Sequence, residues 1–464
     1  MSQVRRAVNF VQEFSIPLIL GVIAGLIHAN VDYAGYQQLV YIDWTSIFGG
    51  TAEAGATTPT GIPHWQSLHF LINDIFMALF FGIAAKEITE AVLPGGALNP
   101  PSKAVNPLLG TIGGIVGPAG FYLIFVFLMV TTPEQIGVAP EVFATKTPDH
   151  IIAGQHWSDA TQLAANGWGI PTATDIALAW LFARMIFGNK GSAVGFLLLL
   201  AVADDAIGLV IIAVFYPSQT PEPVYMLLAV AGMAVAFGLR KFGVKNWHPY
   251  ILIAGPLSWC GFYMAHLHPA LALVPIVPFL PAPTHDTGLY EPAEDEEEEH
   301  HSHAALHAFE HDLKLFVDFG LFFFAWANAG VMLGGMNIIT WIVLGSLIFG
   351  KMIGITFFSW LGTVIGFPLP DGMKIKHLVV ASLIAGLGLT VALFVSGEAF
   401  KGAAGAGIMG AAKMGSLMTV IAGFGALALG KIWGVKQDTG TGAPPAGAAP
   451  DEGASDEAPV APAH

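Results

Sequence analysis

A chain of 464 residues with 54% hydrophobic and only 11% charged residues is too apolar for a soluble protein, in which roughly a quarter of residues carry charge. Hydrophobic runs recur along nearly the whole length, so lipid is the solvent that the composition implies. Much of the acid behind the net charge of −15 sits in one loop and the C-terminal tail, which gives no footing for nucleic acid. The single cysteine, Cys260, excludes an intramolecular disulfide.

In chain order, the first apolar stretch, near residues 14–30, follows Arg5 and Arg6. That resembles a signal peptide, but more spans follow, and we read it as an uncleaved first span. Eleven further candidates lie near residues 67–86, 104–130, 168–187, 191–216, 222–240, 248–265, 268–281, 313–334, 338–364, 377–397 and 412–433. A crossing helix needs about 20 apolar residues, and lipid demands a helix because it offers the backbone no partners. The stretch 268–281 is short and carries Pro269, Pro275 and Pro278, so its bounds are the least defined.

Twelve spans with both termini inside put fourteen Lys and Arg in the inside segments and three (Lys146, Lys401 and Lys413) outside, with Lys351 within a span. That bias is the one cytoplasmic loops show. The reading divides the chain into a membrane domain, residues 1–436, and an Ala/Pro/Gly-rich acidic tail, residues 437–464, of disordered composition. Residues 282–312 form an acidic, histidine-rich inside loop with His285, His300, His301, His303, His307 and His311. Histidine changes charge between pH 5 and 8, so the loop reads as a pH sensor, a cation-concentrating screen or a solvated linker. His307 and His311, four apart, also suit a transition metal.

Ionisable residues deep in spans carry the functional information, since each costs roughly 2.5–3.5 kcal/mol on insertion scales. Asp204 and Asp205 interrupt GFLLLLAVADDAIGLVIIAVFY near mid-depth. Helical neighbours point about 100° apart, so one carboxylate faces an ion cavity while the other faces a partner. Lys351, halfway along SLIFGKMIGITFF, is too deep to snorkel and needs a carboxylate. Asp175 follows Gly167, Gly169 and Pro171 in NGWGIPTATDIALAW, with Thr174 beside it. Hydroxyl, carboxylate and freed carbonyl groups make an oxygen-only set, which suits a hard cation such as sodium. A second interrupted span, SLIAGLGLTVALF, holds Gly386, Gly388 and Thr390. Paired interruptions suggest an inverted repeat with its site at mid-membrane. Asp175 would then offset positive helix N-termini and Lys351 negative C-termini. The expected fold is all-α and polytopic, with about twelve transmembrane helices and two interrupted ones crossing at mid-membrane.

At these residues the chain resembles the NhaA family of bacterial sodium/proton antiporters, itself a reference example of the inverted-repeat architecture. The matching blocks are NDIFMALFFGIAAKE with IGGIVGPA, GWGIPTATDIALA, ADDAIGLVIIAVFY, WANAG, GKMIGI and GLGLTVALFVSGEAF, in the family's order through most of residues 10–433. The resemblance implies that Asp205 is the principal ion-binding carboxylate, so that sodium sits at Asp205 and Asp204. It implies that Asp204 pairs with Lys351 and that Thr174 and Asp175 are unwound residues beside the site. Asp74 and Glu87 match acidic second-span positions. With His268 they are the pH-sensing candidates. The resemblance further implies a homodimer in the bacterial inner membrane; no cofactor is expected, and ion exchange needs no covalent chemistry, so no enzymatic activity is expected either.

The chain departs from the family pattern at Glu90, which is displaced by one residue, and at Asp318 and Glu398, which replace apolar residues. Lys314 lies four residues before Asp318 and Lys401 three after Glu398. At helical pairing distance, both acids read as peripheral.

The implied mechanism is competition between a proton and sodium for one carboxylate, with both ions as the only transported partners. The competing readings are a sodium-coupled organic-anion symporter, a cation channel and a membrane sensor. No Asn, Gln or Arg cluster lines a larger substrate cavity, and a channel should show polar rings along its pore.

Overall fold

The computed structural model describes residues 15–48, 63–94, 96, 98, 101–144, 159–188, 192–217, 219–282, 304–401 and 405–435. His285, His300, His301 and His303, the acidic run Glu294–Glu299, Lys146 and the tail from Gln437 lie outside them. Among the described residues the secondary structure is helical, with one isolated bridge between Asp43 and Ser67.

Among the described residues the helices of ten or more residues are α1 (Ile16–Val31), α2 (Leu68–Val92), α3 (Pro101–Met129), α4 (Ala160–Thr172), α5 (Ile176–Phe187), α6 (Ser192–Phe215), α7 (Pro223–Lys241), α8 (Tyr250–Met264), α9 (Ala305–Ala329), α10 (Ile338–Val364), α11 (Ile375–Ala385), α12 (Thr390–Ala399) and α13 (Ala406–Ile432). Six of these are long and apolar enough to cross a membrane, or eight counting each bent pair as one span. Their outward faces are apolar rather than polar: Phe127, Leu128, Leu227, Phe237, Phe323, Ile353 and Phe357 are all more than half exposed. A soluble protein would not leave such a belt in water.

The stretch 268–281 does not form a helix of its own. It folds as two short 3-10 turns, Pro269–Leu271 and Val277–Phe279. The prolines remove backbone donors that a continuous helix needs. Lys413 is not a loop residue either: it lies within α13, buried, with Nζ donating to Asn328 Oδ1 at 3.4 Å.

Glycine lets α3 and α10 approach backbone to backbone. A Cβ at Gly113 would strike the Gly354 carbonyl, one at Gly354 the Gly113 carbonyl, and one at Gly117 the Gly350 carbonyl. Small residues at such a spacing are how membrane helices pack closely without a hydrophobic driving force. The contact fixes the turn that carries Lys351. Gly354→Ala is therefore expected to cost at least about 1–3 kcal/mol by overpacking, read as a lower unfolding temperature in detergent. An unchanged unfolding temperature would show that this approach does not hold the two helices.

Wide π-type turns mark two charged positions. Leu71–Phe76 contains Asp74, and Ser346–Gly350 ends immediately before Lys351. Such turns rotate the following side chains relative to a regular helix and concentrate at functional sites.

Candidate ion-binding site

Two helix pairs are bent at a short break, α4–α5 by 50° and α11–α12 by 49°. Pro171 and the extended backbone at Ala173 and Asp175 open the first, and residues 387–389 open the second. The breaks touch each other: the Asp175 N–H donates to the Leu387 carbonyl at 2.6 Å.

Each break exposes one helix start and one helix end, and the neighbouring side chains answer both. Asp175 is the N-cap of α5, with Oδ1 accepting from the Leu178 N–H at 3.0 Å. Its Oδ2 accepts from the Thr390 N–H at 3.1 Å and the Thr390 hydroxyl at 2.9 Å, at the first residue of α12. One buried carboxylate thus serves the positive ends of two half-helices. On the other side, Lys351 Nζ donates to Asp204 Oδ2 and to the Thr174 hydroxyl, both at 2.6 Å. The Thr174 proton goes to Asp204 Oδ2 at 2.7 Å or to the Ala385 carbonyl, the last of α11, at 3.0 Å. Thr174, Asp204 and Lys351 are essentially inaccessible. Fully desolvated, the ion pair is worth keeping only because each partner is also hydrogen-bonded.

Asp205 points elsewhere, as the 100° step between helical neighbours requires. It is half-buried, and its Oδ1 has no hydrogen-bond partner among the described residues, nor has Asp204 Oδ1. The charges acting on Asp205 are Asp204, Glu87, Lys351 and Asp175. Three of the four are acidic, and Lys351 makes its contact with Asp204. Unsatisfied carboxylate oxygens surrounded by acid are the arrangement a hard monovalent cation or a proton completes.

The remaining candidates fall at either end of α2. Asp74 Oδ1 lies 4.0 Å from His268 Nε2, and Asp74 Oδ2 lies 3.8 Å from His64. Glu87 stands near the other end, where Lys86 pairs with Glu90 at 2.6 Å and with Glu310 of α9. His307 reaches Glu90 at 3.4 Å, whereas His311 turns to Asp312, so the two histidines serve different acids. Among the described residues no group of three or more His, Cys, Asp and Glu is placed to hold a metal ion. Lys314 pairs with Glu310 at 3.4 Å, one turn back. Lys401 does meet Glu398, but the acid is buried and His268 Nε2 also meets it, at 3.1 Å. A buried, doubly paired carboxylate is not peripheral.

Sequence reasoning did not single out Thr390, Lys86 or Glu310 as site residues. For Thr390 the usable signal was a hydroxyl residue directly after a Gly-containing break, where helix starts favour Ser and Thr. Thr390→Val keeps the backbone donor to Asp175 and removes the hydroxyl. A hydrogen bond to a buried charge contributes about 1.5–3 kcal/mol, so exchange should slow roughly tenfold or more in liposomes. Turnover equal to the parent would show that the backbone bond alone positions Asp175.

Breaking two helices inside lipid is tolerable only where the freed ends are neutralised and line a polar site. That places the chain among polytopic membrane proteins of the interrupted-helix class. The sequence profile of a family described as Na+/H+ antiporter 1 matches residues 6–146 and 147–429, and the chain belongs to that family. It is 48% identical over 442 residues to the Na(+)/H(+) antiporter NhaA of Desulfitobacterium hafniense, covering 94% of this chain and 98% of that one. It is also 48% identical over 435 residues to the Na(+)/H(+) antiporter NhaA of Geobacter metallireducens, covering 93% and 99%. A solved sodium proton antiporter, MjNhaP1 from Methanocaldococcus jannaschii, aligns over 90% and 91% of the two chains with 13% identity and a TM-score of 0.44.

Proposed function

We infer that the chain is a secondary exchanger of sodium ions for protons. The observation that carries this is the divided aspartate pair: Lys351 satisfies Asp204, while Asp205 beside it keeps an unsatisfied oxygen among acids. Family membership supports it, since both NhaA relatives carry the name of Na(+)/H(+) antiporters. Burial penalises the bare charge on Asp205, and either a proton or sodium removes the penalty. The two ions therefore compete for one site, and exchange follows if only loaded forms switch access. Asp204, Asp205, Lys351 and Asp175 interact closely enough to titrate as a set.

The wider proposal is an inverted-repeat bundle of about twelve crossings, in which the 268–281 stretch passes as 3-10 turns and not as a helix, active as a homodimer in the bacterial inner membrane with both termini cytoplasmic. It works by alternating access, moves Na+ and H+ without a cofactor, and performs no covalent chemistry. Asp74, Glu87 and His268 are its proposed pH-sensing groups. An organic-anion symporter gains no support from the site, whose unsatisfied polar atoms are carboxylate oxygens, which repel an anion.

The test is flux in liposomes containing the purified chain. An imposed pH gradient should drive sodium uptake that saturates with sodium concentration. Uptake that never saturates and carries a steady current would mean a channel, and no flux at any pH would leave only a sensor.

A further inference from the structure

Glu398 has no part in the ion site, yet the structure buries it and gives it two partners. Its helix explains why that matters. Residues four apart share a helix face, and three such positions on α12 make three different contacts. Thr390 bonds Asp175 in the ion site. One turn on, Phe394 meets the Phe81 ring of α2 at 5.2 Å and the His268 ring at 4.7 Å, edge-on in both cases. One turn further, Glu398 meets His268 Nε2 at 3.1 Å and pairs with Lys401. The stripe spans about 12 Å at 1.5 Å per residue. It connects the ion site to the end of the bundle where Asp74 and the half-exposed His64 lie.

His268 is oriented for this bond. Its Nδ1 accepts from the Ala270 N–H at 3.2 Å, capping the 3-10 turn that follows. The ring proton is then on Nε2, the nitrogen that faces Glu398. The contact thus needs no imidazolium: a neutral ring donates to a carboxylate, a charge-assisted bond. Around it, Asn328 Nδ2 donates to Asn73 Oδ1 at 2.8 Å and Lys413 Nζ to Asn328 Oδ1 at 3.4 Å. Further polar contacts thus join α13, α9 and α2 beside the Glu398–His268 bond.

We propose that Glu398 is the outer latch of the exchange cycle: its bond to His268 holds α12 against the 269–279 turns, above the Phe394–Phe81 contact, and closes the outer route to the ion site. Opening outward requires α12 to leave Phe81 and His268, and the Glu398 bond must break with them. The proposal rests on the exchanger reading and on the sidedness given with it. A bond present in one access state and lost in the other biases the two populations by its own free energy. Removing it shifts the chain toward the outward-open state by roughly tenfold, the equivalent of one charge-assisted hydrogen bond.

The experiment places a reporter under the latch. Ala78 is buried on α2, one turn inward of Asp74. Ala78→Cys in a Cys260→Ser background is labelled in right-side-out vesicles by a membrane-impermeant maleimide. Adding Glu398→Leu should raise the outside labelling rate about tenfold. Glu398→Gln, which keeps an acceptor for the His268 proton, should stay much nearer the parent rate. Should Glu398→Leu fail to insert, His268→Ala breaks the same bond from the other side and is judged by the same criterion. A labelling rate unchanged by Glu398→Leu, in a parent that exchanges sodium for protons in liposomes, overturns the latch. Latch-dependent labelling in a parent that shows no exchange supports the latch and sinks the exchanger reading instead.

Discussion

Asp205→Asn is expected to bring pH-driven sodium uptake in liposomes down to that of protein-free vesicles, with insertion and unfolding temperature unchanged. The physical reason lies in what surrounds the side chain. Lys351 spends its contacts on Asp204 and Thr174, so Asp205 is not part of the bonding that holds the bundle together. Its amide replacement has nearly the same volume and disturbs no bond, since Oδ1 makes none among the described residues. What is lost is the charge, and with it both the sodium ligand and the proton carrier. Asp204→Asn should also be severe, but for a second reason: it leaves the fully buried Lys351 ammonium without its counter-charge. That variant should therefore show a lowered unfolding temperature, which Asp205→Asn should not. Parent-like turnover in Asp205→Asn would end the competition mechanism.

The contrast between these residues also shows what sequence could reveal. Asp204, Asp205, Asp175 and Lys351 were legible because charge at depth in an apolar run is costly and rarely accidental. The Gly and Pro interruptions were legible for a similar reason, since they disturb helices in a solvent that punishes it. The structure adds which partners those charges meet, and there sequence is weak. Thr390 is one hydroxyl among many until the two breaks touch and place it on Asp175. Lys314 has an acid four residues away on either side, and spacing alone does not say that it meets Glu310. Lys86 has Glu90 four residues on, a pairing the spacing allows, but its second partner, Glu310, is more than two hundred positions away and has no local signal. Lys413 was misplaced because the Gly- and Ala-rich start of α13 lacks the hydropathy of a span. Glu398 was misjudged because the pairing with Lys401 explained it at short range and hid the long-range contact with His268.

Lys351→Ala is expected to weaken the fold more than it removes cation binding. The ammonium is fully buried, and it answers both Asp204 and the hydroxyl that reaches the end of α11. Taking one partner from a buried ion pair costs of order 3–5 kcal/mol when the other stays charged. The cost has a definite pH dependence. A protonated Asp204 carries no charge to bury, so in acid the variant escapes most of the penalty, whereas at alkaline pH the bare carboxylate bears it in full. Unfolding temperatures in detergent should therefore diverge from the parent as pH rises and converge as it falls. Exchange should persist at reduced rate, because Asp205 retains its acidic surroundings, and the charge moved per cycle should change with the loss of the cation. Two results would count against this account. Equal unfolding temperatures at every pH would mean that the Lys351–Asp204 pair contributes nothing to the fold. Complete loss of sodium binding with a stable protein would mean that Lys351 acts on the cation site directly and not through its aspartate.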